Sequence, residues 1–143
     1  MVQRLQARGL RVTQRGVDAD DDCAAHSYGR VHAYFGQQPC SGLYRALFEV
    51  RDGRVGVVVA VAWVDMPDPA RAGEFQQLVD RHGTGNITEL TKDGRPPTSV
   101  RWTGEHYRSV RDDVTVVNVQ AEPVGPTARA ARLARLVQQT AVS

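Results

Sequence analysis

The stretch LYRALFEVRDGRVGVVVAVAWV, residues 43–64, decides the fold because it predicts a β-hairpin. Residues 43–50 alternate in side-chain character, as expected of a strand whose two faces differ. Asp52 and Gly53 follow, and this dipeptide is the strongest short-range signal for a hairpin turn. Residues 54–64 are apolar on both faces, with large residues on one face and small ones on the other. They therefore predict a central strand that is covered on both sides.

Further helices and strands are predicted on both sides of this hairpin. Apolar residues at helical spacing predict helices over residues 24–36, 69–82 and 127–140. Additional strands are predicted over residues 10–17, 84–90, 99–110 and 114–124. The order is (β)αββαβββα, and tight turns join most of the strands. We therefore expect an α+β fold, with a mostly antiparallel sheet of five or six strands and three helices packed against it.

The length of 143 residues suits one domain with its own core. We predict a disordered or linker-like N-terminus over residues 1–9 and a single α+β domain over residues 10–143. The longest apolar run, residues 55–64, has ten residues, which is too short to span a membrane. We therefore expect no membrane insertion by this segment.

The composition excludes some classes of partner. The chain is 41% hydrophobic and 24% charged, which is ordinary for a soluble globular protein. The net charge is only +2, and the 17 arginines are spread along the whole chain. A nucleic-acid surface needs a clustered basic patch, so we expect no nucleic-acid partner.

Residues 20–40, DDDCAAHSYGRVHAYFGQQPC, contain both cysteines and two of the four histidines. A helix from Cys23 to Phe35 would be about 18 Å long, and five extended residues from Phe35 to Cys40 reach about 17 Å. A disulfide needs the two Cα atoms within about 7 Å. The bond is therefore feasible, and it closes more easily if the helix begins later or bends at Gly29.

Two other interpretations of this segment stay open. Cys23 and His26 are three residues apart on a helix and could form a nucleophilic pair, although the neighbouring aspartates disfavour a thiolate. Asp20, Asp22 and His26 could coordinate a divalent ion, although the tight ligand pairs of a zinc site are absent from the sequence. We favour a disulfide between Cys23 and Cys40, and we expect neither a metal nor a cofactor.

Aromatic, histidine and arginine side chains suggest a ligand cleft. The candidate lining residues are His26, Tyr28, Trp102, His106 and Arg108. Neighbouring residues on a strand point to opposite faces, so a Glu-His dipeptide at 105–106 cannot act on one substrate atom. We therefore assign no catalytic residue. The glycine-rich stretch RHGTGNITEL, residues 81–90, does not match a phosphate-binding loop and instead predicts a helix end and a turn.

Five short stretches taken together resemble a family of actinobacterial proteins of unknown function. They are DCAAHSYGRV, the Pro-Cys pair at 39–40, LYRALFEV, VAWVDMPD and GTGNITEL. Members of that family typically carry an N-terminal membrane anchor and an extracytoplasmic α+β domain. The resemblance implies an exported location and pairing of Cys23 with Cys40, and it implies no activity.

These observations favour a non-catalytic, extracytoplasmic binding or interaction domain. Its partner would be an unknown protein or a cell-envelope ligand. One alternative is a small hydrolase-like enzyme that uses His26 or His106 in a cleft. Another is a homo-oligomeric structural component, and the alternative location is the cytoplasm.

Overall fold

A computed structural model describes residues 1–141, so residues 142 and 143 of the predicted domain lie outside the described part. The fold is α+β, with helices packed against a five-stranded antiparallel sheet of strand order β1-β2-β3-β5-β4. The strands are β1 Arg11–Asp20, β2 Gly42–Asp52, β3 Val55–Asp65, β4 Tyr107–Asp112 and β5 Thr115–Val124. The α-helices are α1 Val2–Ala7, α2 Gly29–Gln37, α3 Pro69–Val79 and α4 Ala128–Ala141, and a 3-10 helix covers Leu90–Asp93.

The predicted central hairpin is confirmed. Strands β2 and β3 pair without interruption from Gly42 opposite Asp65 to Asp52 opposite Val55. Gly53 has a positive φ of 62°, which a tight turn requires and glycine adopts without strain. Strand β3 lies between β2 and β5, and its residues 56–62 are buried on both faces.

The two faces of the sheet are covered by different helices. On one face, here called the α4 face, α1 and α4 pack on an apolar core that includes Phe48, Val59 and Val137. On the opposite face, α2 and α3 pack on a second core, in which the rings of Phe35 and Phe75 lie 5.0 Å apart. The chain between α3 and β4 covers the rest of this second face.

The N-terminus differs from the prediction of disorder over residues 1–9. Residues 2–7 form α1, and Leu5 is completely buried against the core of the α4 face. The Arg4 guanidinium donates hydrogen bonds to the carbonyl oxygens of Thr140 and Ala141, at 3.1 and 2.6 Å. Since the last carbonyls of a helix have no partner within it, Arg4 caps the end of α4.

Two predicted strands and one predicted helix also differ from the structure. Residues 84–90 form no strand of the sheet, and Ile87 makes one isolated bridge with Ser27. The strand predicted over residues 99–110 begins only at Tyr107. Helix α2 begins at Gly29 instead of residue 24. Residues 23–26 form turns, in which the Asp22 carboxylate accepts from the Ala25 amide. Among residues 1–141, no helix is long and apolar enough to cross a membrane.

Candidate functional site

The disulfide between Cys23 and Cys40 is formed, with the two Cα atoms 6.0 Å apart. Helix α2 begins later than predicted, so fewer of the residues between Cys23 and Cys40 are helical. The non-helical residues can bring Cys40 back to Cys23, which explains why the bond closes easily. Cys23 is buried in the core beneath α2, and Cys40 is half-buried. Both sulfurs are bonded, so the pairing of a Cys23 nucleophile with His26 is ruled out in this state.

The segment between the two bonded cysteines lies against the glycine-rich loop at residues 83–86. The Tyr28 amide donates to the Asn86 carbonyl at 3.1 Å, and the Val31 amide donates to the Thr84 carbonyl at 3.0 Å. Thr84 thereby satisfies one of the free amides at the start of α2. The glycine-rich loop is therefore engaged with the start of α2 through two of its carbonyl oxygens.

A cleft of about 370 Å³ opens beside this contact. It lies on the face of the sheet that α2 and α3 cover, between the loop after α3 and the segment that leads into β4. Its lining includes Tyr28, Arg81, His82, Asn86, Trp102 and Gln120. We call it the Tyr28–Trp102 cleft.

Tyr28 and Trp102 are both held by their neighbours. The Tyr28 ring is 40% exposed, and Lys92 Nζ lies 4.6 Å from its centroid in a cation–π contact. Burial and the charge of Glu89 raise the pKa of the Tyr28 hydroxyl, so it is neutral at physiological pH. The Trp102 indole N–H donates to Thr91 Oγ1 at 2.8 Å, which orients the ring.

Two buried amides, Asn86 and Gln120, form part of the lining of the cleft, and each is anchored at one end only. Asn86 Oδ1 accepts from Asn118 Nδ2 at 3.2 Å, and Gln120 Nε2 donates to Glu89 Oε1 at 2.9 Å. The partner of Asn86 is a donor, so the side-chain oxygen of Asn86 must face it. The partner of Gln120 is a carboxylate, so the side-chain nitrogen of Gln120 must face it. Asn86 Nδ2 and Gln120 Oε1 have no hydrogen-bond partner within residues 1–141, and neither is a fully buried atom.

The carboxylate at the cleft, Asp80, is already engaged. Its Oδ1 accepts hydrogen bonds from the Tyr107 hydroxyl at 2.8 Å and from Ser109 Oγ at 2.6 Å. Burial, and then the charge of Asp80, raise the pKa of Tyr107 far above its ordinary value. Tyr107 therefore remains a hydrogen-bond donor to Asp80 across the physiological range.

The structure brings together two of the five residues that were predicted to line one cleft. Tyr28 and Trp102 line it. Arg108 lies opposite Val119, and the backbone carbonyl of buried His106 accepts a hydrogen bond from the Ala121 amide. Val119 and Ala121 both pack in the core of the α4 face. The two residues therefore lie on the other side of the sheet. The prediction placed Trp102 in the strand, whereas the strand begins after it.

His26, the fifth predicted residue, lies in a separate polar cluster. Its Nε2 is 2.7 Å from Asp20 Oδ2, and its Nδ1 is 3.2 Å from Arg45 Nη2. Because a guanidinium only donates, Nδ1 accepts from Arg45 and Nε2 carries the proton that is donated to Asp20. Both ring nitrogens are thus engaged. The hydrogen bond from His26, followed by those from two backbone amides, lowers the pKa of Asp20.

Arg45 connects this cluster to the rest of the fold. It is 3% exposed, and its guanidinium contacts Asp18 Oδ2 at 2.9 Å, Asp93 Oδ2 at 2.8 Å and the Thr88 carbonyl at 2.9 Å. The Arg45 guanidinium is therefore a buried cation that joins four parts of the fold. They are β1, β2, the 3-10 helix and the segment between Cys23 and Cys40.

The same cluster does not suit a metal ion. Ligand atoms of Asp18, Asp20 and His26 all lie within 4.8 Å of one another. Arg45 already supplies the positive charge between Asp18 and His26, and a second cation would be repelled by it. Asp22, which was considered as a ligand from the sequence, instead caps the turn at Ala25.

Sequence reasoning missed several residues of the cleft. His82, Asn86 and Gln120 come from separate parts of the chain, and only the glycine-rich stretch around Asn86 was noticed. The sequence of that stretch does not match a phosphate-binding loop, and in the structure the stretch forms one wall of the cleft. Gly104 lies on the opposite wall, and a Cβ atom added to it would be nearest to the His82 side chain.

No protein-family model matches this chain, and no curated protein or solved structure shows significant similarity to it. A function can therefore be inferred only from the fold and the Tyr28–Trp102 cleft.

Proposed function

We propose that this protein is a non-catalytic binding domain that works outside the cytoplasm, with the Tyr28–Trp102 cleft as its ligand site. One observation carries the proposal: the cleft combines exposed aromatic surface with buried amides that have unused hydrogen-bonding atoms. Small-molecule sites typically join apolar walls to a few fixed polar groups, within about 300–1,000 Å³. The cleft, at about 370 Å³, lies at the small end of that range.

The disulfide supports the extracytoplasmic location. Structural disulfides persist in oxidising compartments and are rare in the cytosol. Cys23 is buried in the core, so the bond belongs to the packed structure. The resemblance to exported actinobacterial proteins points in the same direction.

The hydrogen bonds of the acidic and basic groups support binding over catalysis. A general base needs a free lone pair within reach of the substrate. His26 does meet a carboxylate, as the hydrolase alternative requires, but its Nδ1 lone pair is directed at Arg45. Asp80 at the cleft accepts two hydrogen bonds from hydroxyl groups on β4.

A homo-oligomeric role is a second candidate, and a specific surface favours it. On the α4 face, Tyr44, Trp63, Val117 and Val110 form one continuous row across four strands. Tyr44 is 42% exposed, and Trp63 is half-buried. Sedimentation of the purified chain tests this candidate: a monomer mass at high concentration excludes it, and a dimer mass that Trp63→Ala abolishes supports it.

A fragment screen tests the proposed binding function. A library of small polar and aromatic compounds is soaked into crystals of the whole chain, and the bound positions are located by diffraction. We expect hits to concentrate between Tyr28 and Trp102. Hits scattered over the surface, or an empty cleft throughout the library, would contradict the proposal.

A further inference from the structure

The aromatic residues of the Tyr28–Trp102 cleft define the shape of its ligand. Lys92 Nζ lies over the Tyr28 ring, and Tyr28 remains 40% exposed where it lines the cleft. Trp102 is fixed by its hydrogen bond to Thr91 and contributes further aromatic surface to the same cleft. Rigid aromatic rings that cost little conformational entropy favour a ligand with a flat apolar face.

The amides define the polar edge of the ligand. Asn86 Nδ2 is an unused donor, and Gln120 Oε1 is an unused acceptor. Asn86 is 7% exposed and Gln120 is 5% exposed, so ligand atoms that reach them are largely removed from water. A hydroxyl group both donates and accepts, and it can therefore pair with either amide.

The remaining contacts disfavour a charged ligand. In the glycine-rich loop, the Thr84 amide already donates to the Arg81 carbonyl and the Ile87 amide donates to Asn86 Oδ1, so neither of these two amides is free for a phosphate. Asp80 is occupied by two hydroxyl donors, which weakens its attraction for an ammonium group. Arg81 and His82 are exposed residues at the rim, where water screens their charge.

We infer that the Tyr28–Trp102 cleft binds a neutral sugar ring of a glycan, an inference that rests on the proposed binding function. A pyranose ring has a flat face of C–H groups, which packs on an aromatic ring, and an edge of hydroxyl groups, which meets Asn86 and Gln120. A site of about 370 Å³ suits a short stretch of such a glycan.

Calorimetric titration of the whole chain with two neutral oligosaccharides tests the inference. The probes are the trisaccharide of N-acetylglucosamine and maltotriose. We expect at least one of them to bind at a single site, and we expect Tyr28→Ala to weaken its binding by about tenfold or more. Tyr28→Phe keeps the ring and should retain binding within about threefold. Tyr44→Ala is the matched control, because Tyr44 has a similar exposure of 42% on the opposite face, and it should leave binding unchanged.

Three control ligands separate failure of this inference from failure of the proposed function. They are uridine, inorganic phosphate and a neutral tripeptide. If one of them binds in the cleft and neither oligosaccharide does, the sugar inference is overturned while the binding function survives. If fragments and probes all leave the cleft empty, both fail. Sugar binding that Tyr44→Ala abolishes and Tyr28→Ala preserves would place the site on the α4 face and also overturn the inference.

Discussion

Gly85 lies directly against the backbone of Tyr28, so closely that a Cβ atom on Gly85 would collide with the Tyr28 carbonyl oxygen. Gly29, which follows Tyr28 in the chain, approaches the Thr84 carbonyl in the same way. A Cβ atom added to Gly29 would lie only 2.8 Å from the Thr84 carbonyl oxygen. This contact joins the start of α2 to the wall of the cleft. It also sets the position of the Tyr28 ring relative to Asn86.

Replacing Gly85 with alanine should therefore destabilise the protein and disturb the cleft. We expect Gly85→Ala to lower the free energy of unfolding by about 3 kcal/mol or more, because steric overlap adds to the strain of a positive φ. Gly83→Ala is the matched control: Gly83 also has a positive φ, but an added Cβ there meets no atom within 4 Å. It should cost only about 1–2 kcal/mol. Equal costs in urea denaturation would show that the contact is unimportant.

Removing the disulfide should cost stability. We expect the double variant Cys23→Ala/Cys40→Ala to lose about 3 kcal/mol, since the bond closes a loop with a sequence separation of 17. A reductant should destabilise the natural protein to the same level and leave the double variant unaffected. A natural protein that is insensitive to complete reduction would contradict this prediction.

Arg45 should contribute more to stability than an exposed arginine. Arg45→Met leaves Asp18, Asp93 and the Thr88 carbonyl without their common donor, and we expect a loss of about 2–3 kcal/mol. The matched control is Arg15→Met, which removes an exposed ion pair to Glu49 and should cost less than about 1 kcal/mol. The two free energies of unfolding are measured by urea denaturation. A loss below that of Arg15→Met would contradict the role of Arg45.

The pairing of His26 with Asp20 should be visible in an acid titration. The pKa of Asp20 is lowered mainly by the His26 hydrogen bond, so His26→Ala should move it upward, toward the ordinary value of 3.8. A lowered pKa means that the folded state favours the carboxylate. This contribution to stability is present above the unfolded-state pKa and is lost as the pH falls through the folded-state pKa. Carbon NMR of the Asp20 carboxyl group measures the shift, and an unchanged pKa in His26→Ala would refute the pairing.

The predictions from sequence succeeded where the signal was local. The hairpin of β2 and β3 follows from alternating side chains and the dipeptide at 52–53, which are both short-range features. Helix α3 begins at Pro69, as predicted, and the Asp68 carboxylate caps it by accepting from the Arg71 amide. The N-terminal helix was missed because its six residues contribute one buried side chain, Leu5, too few for a periodic pattern.

The parts that could not be predicted depend on contacts between distant segments. The start of α2 is set by the meeting of Gly29 with the loop at Thr84, and no local pattern marks that meeting. The lining of the cleft likewise joins Asn86 and Gln120, whose closeness follows from the packing of a loop on β5. Tyr28 and Trp102 were predicted to line a ligand cleft, and the fold places them in the same cleft.

The two tryptophans provide the most direct test of the binding site, because Trp102 lines the cleft and Trp63 lies on the α4 face. Their indole N–H signals are followed by NMR while the best-binding fragment or oligosaccharide is added. If the Tyr28–Trp102 cleft is the binding site, we expect a saturable shift of the Trp102 signal and no shift of the Trp63 signal. A shift of Trp63 while Trp102 stays constant would contradict it.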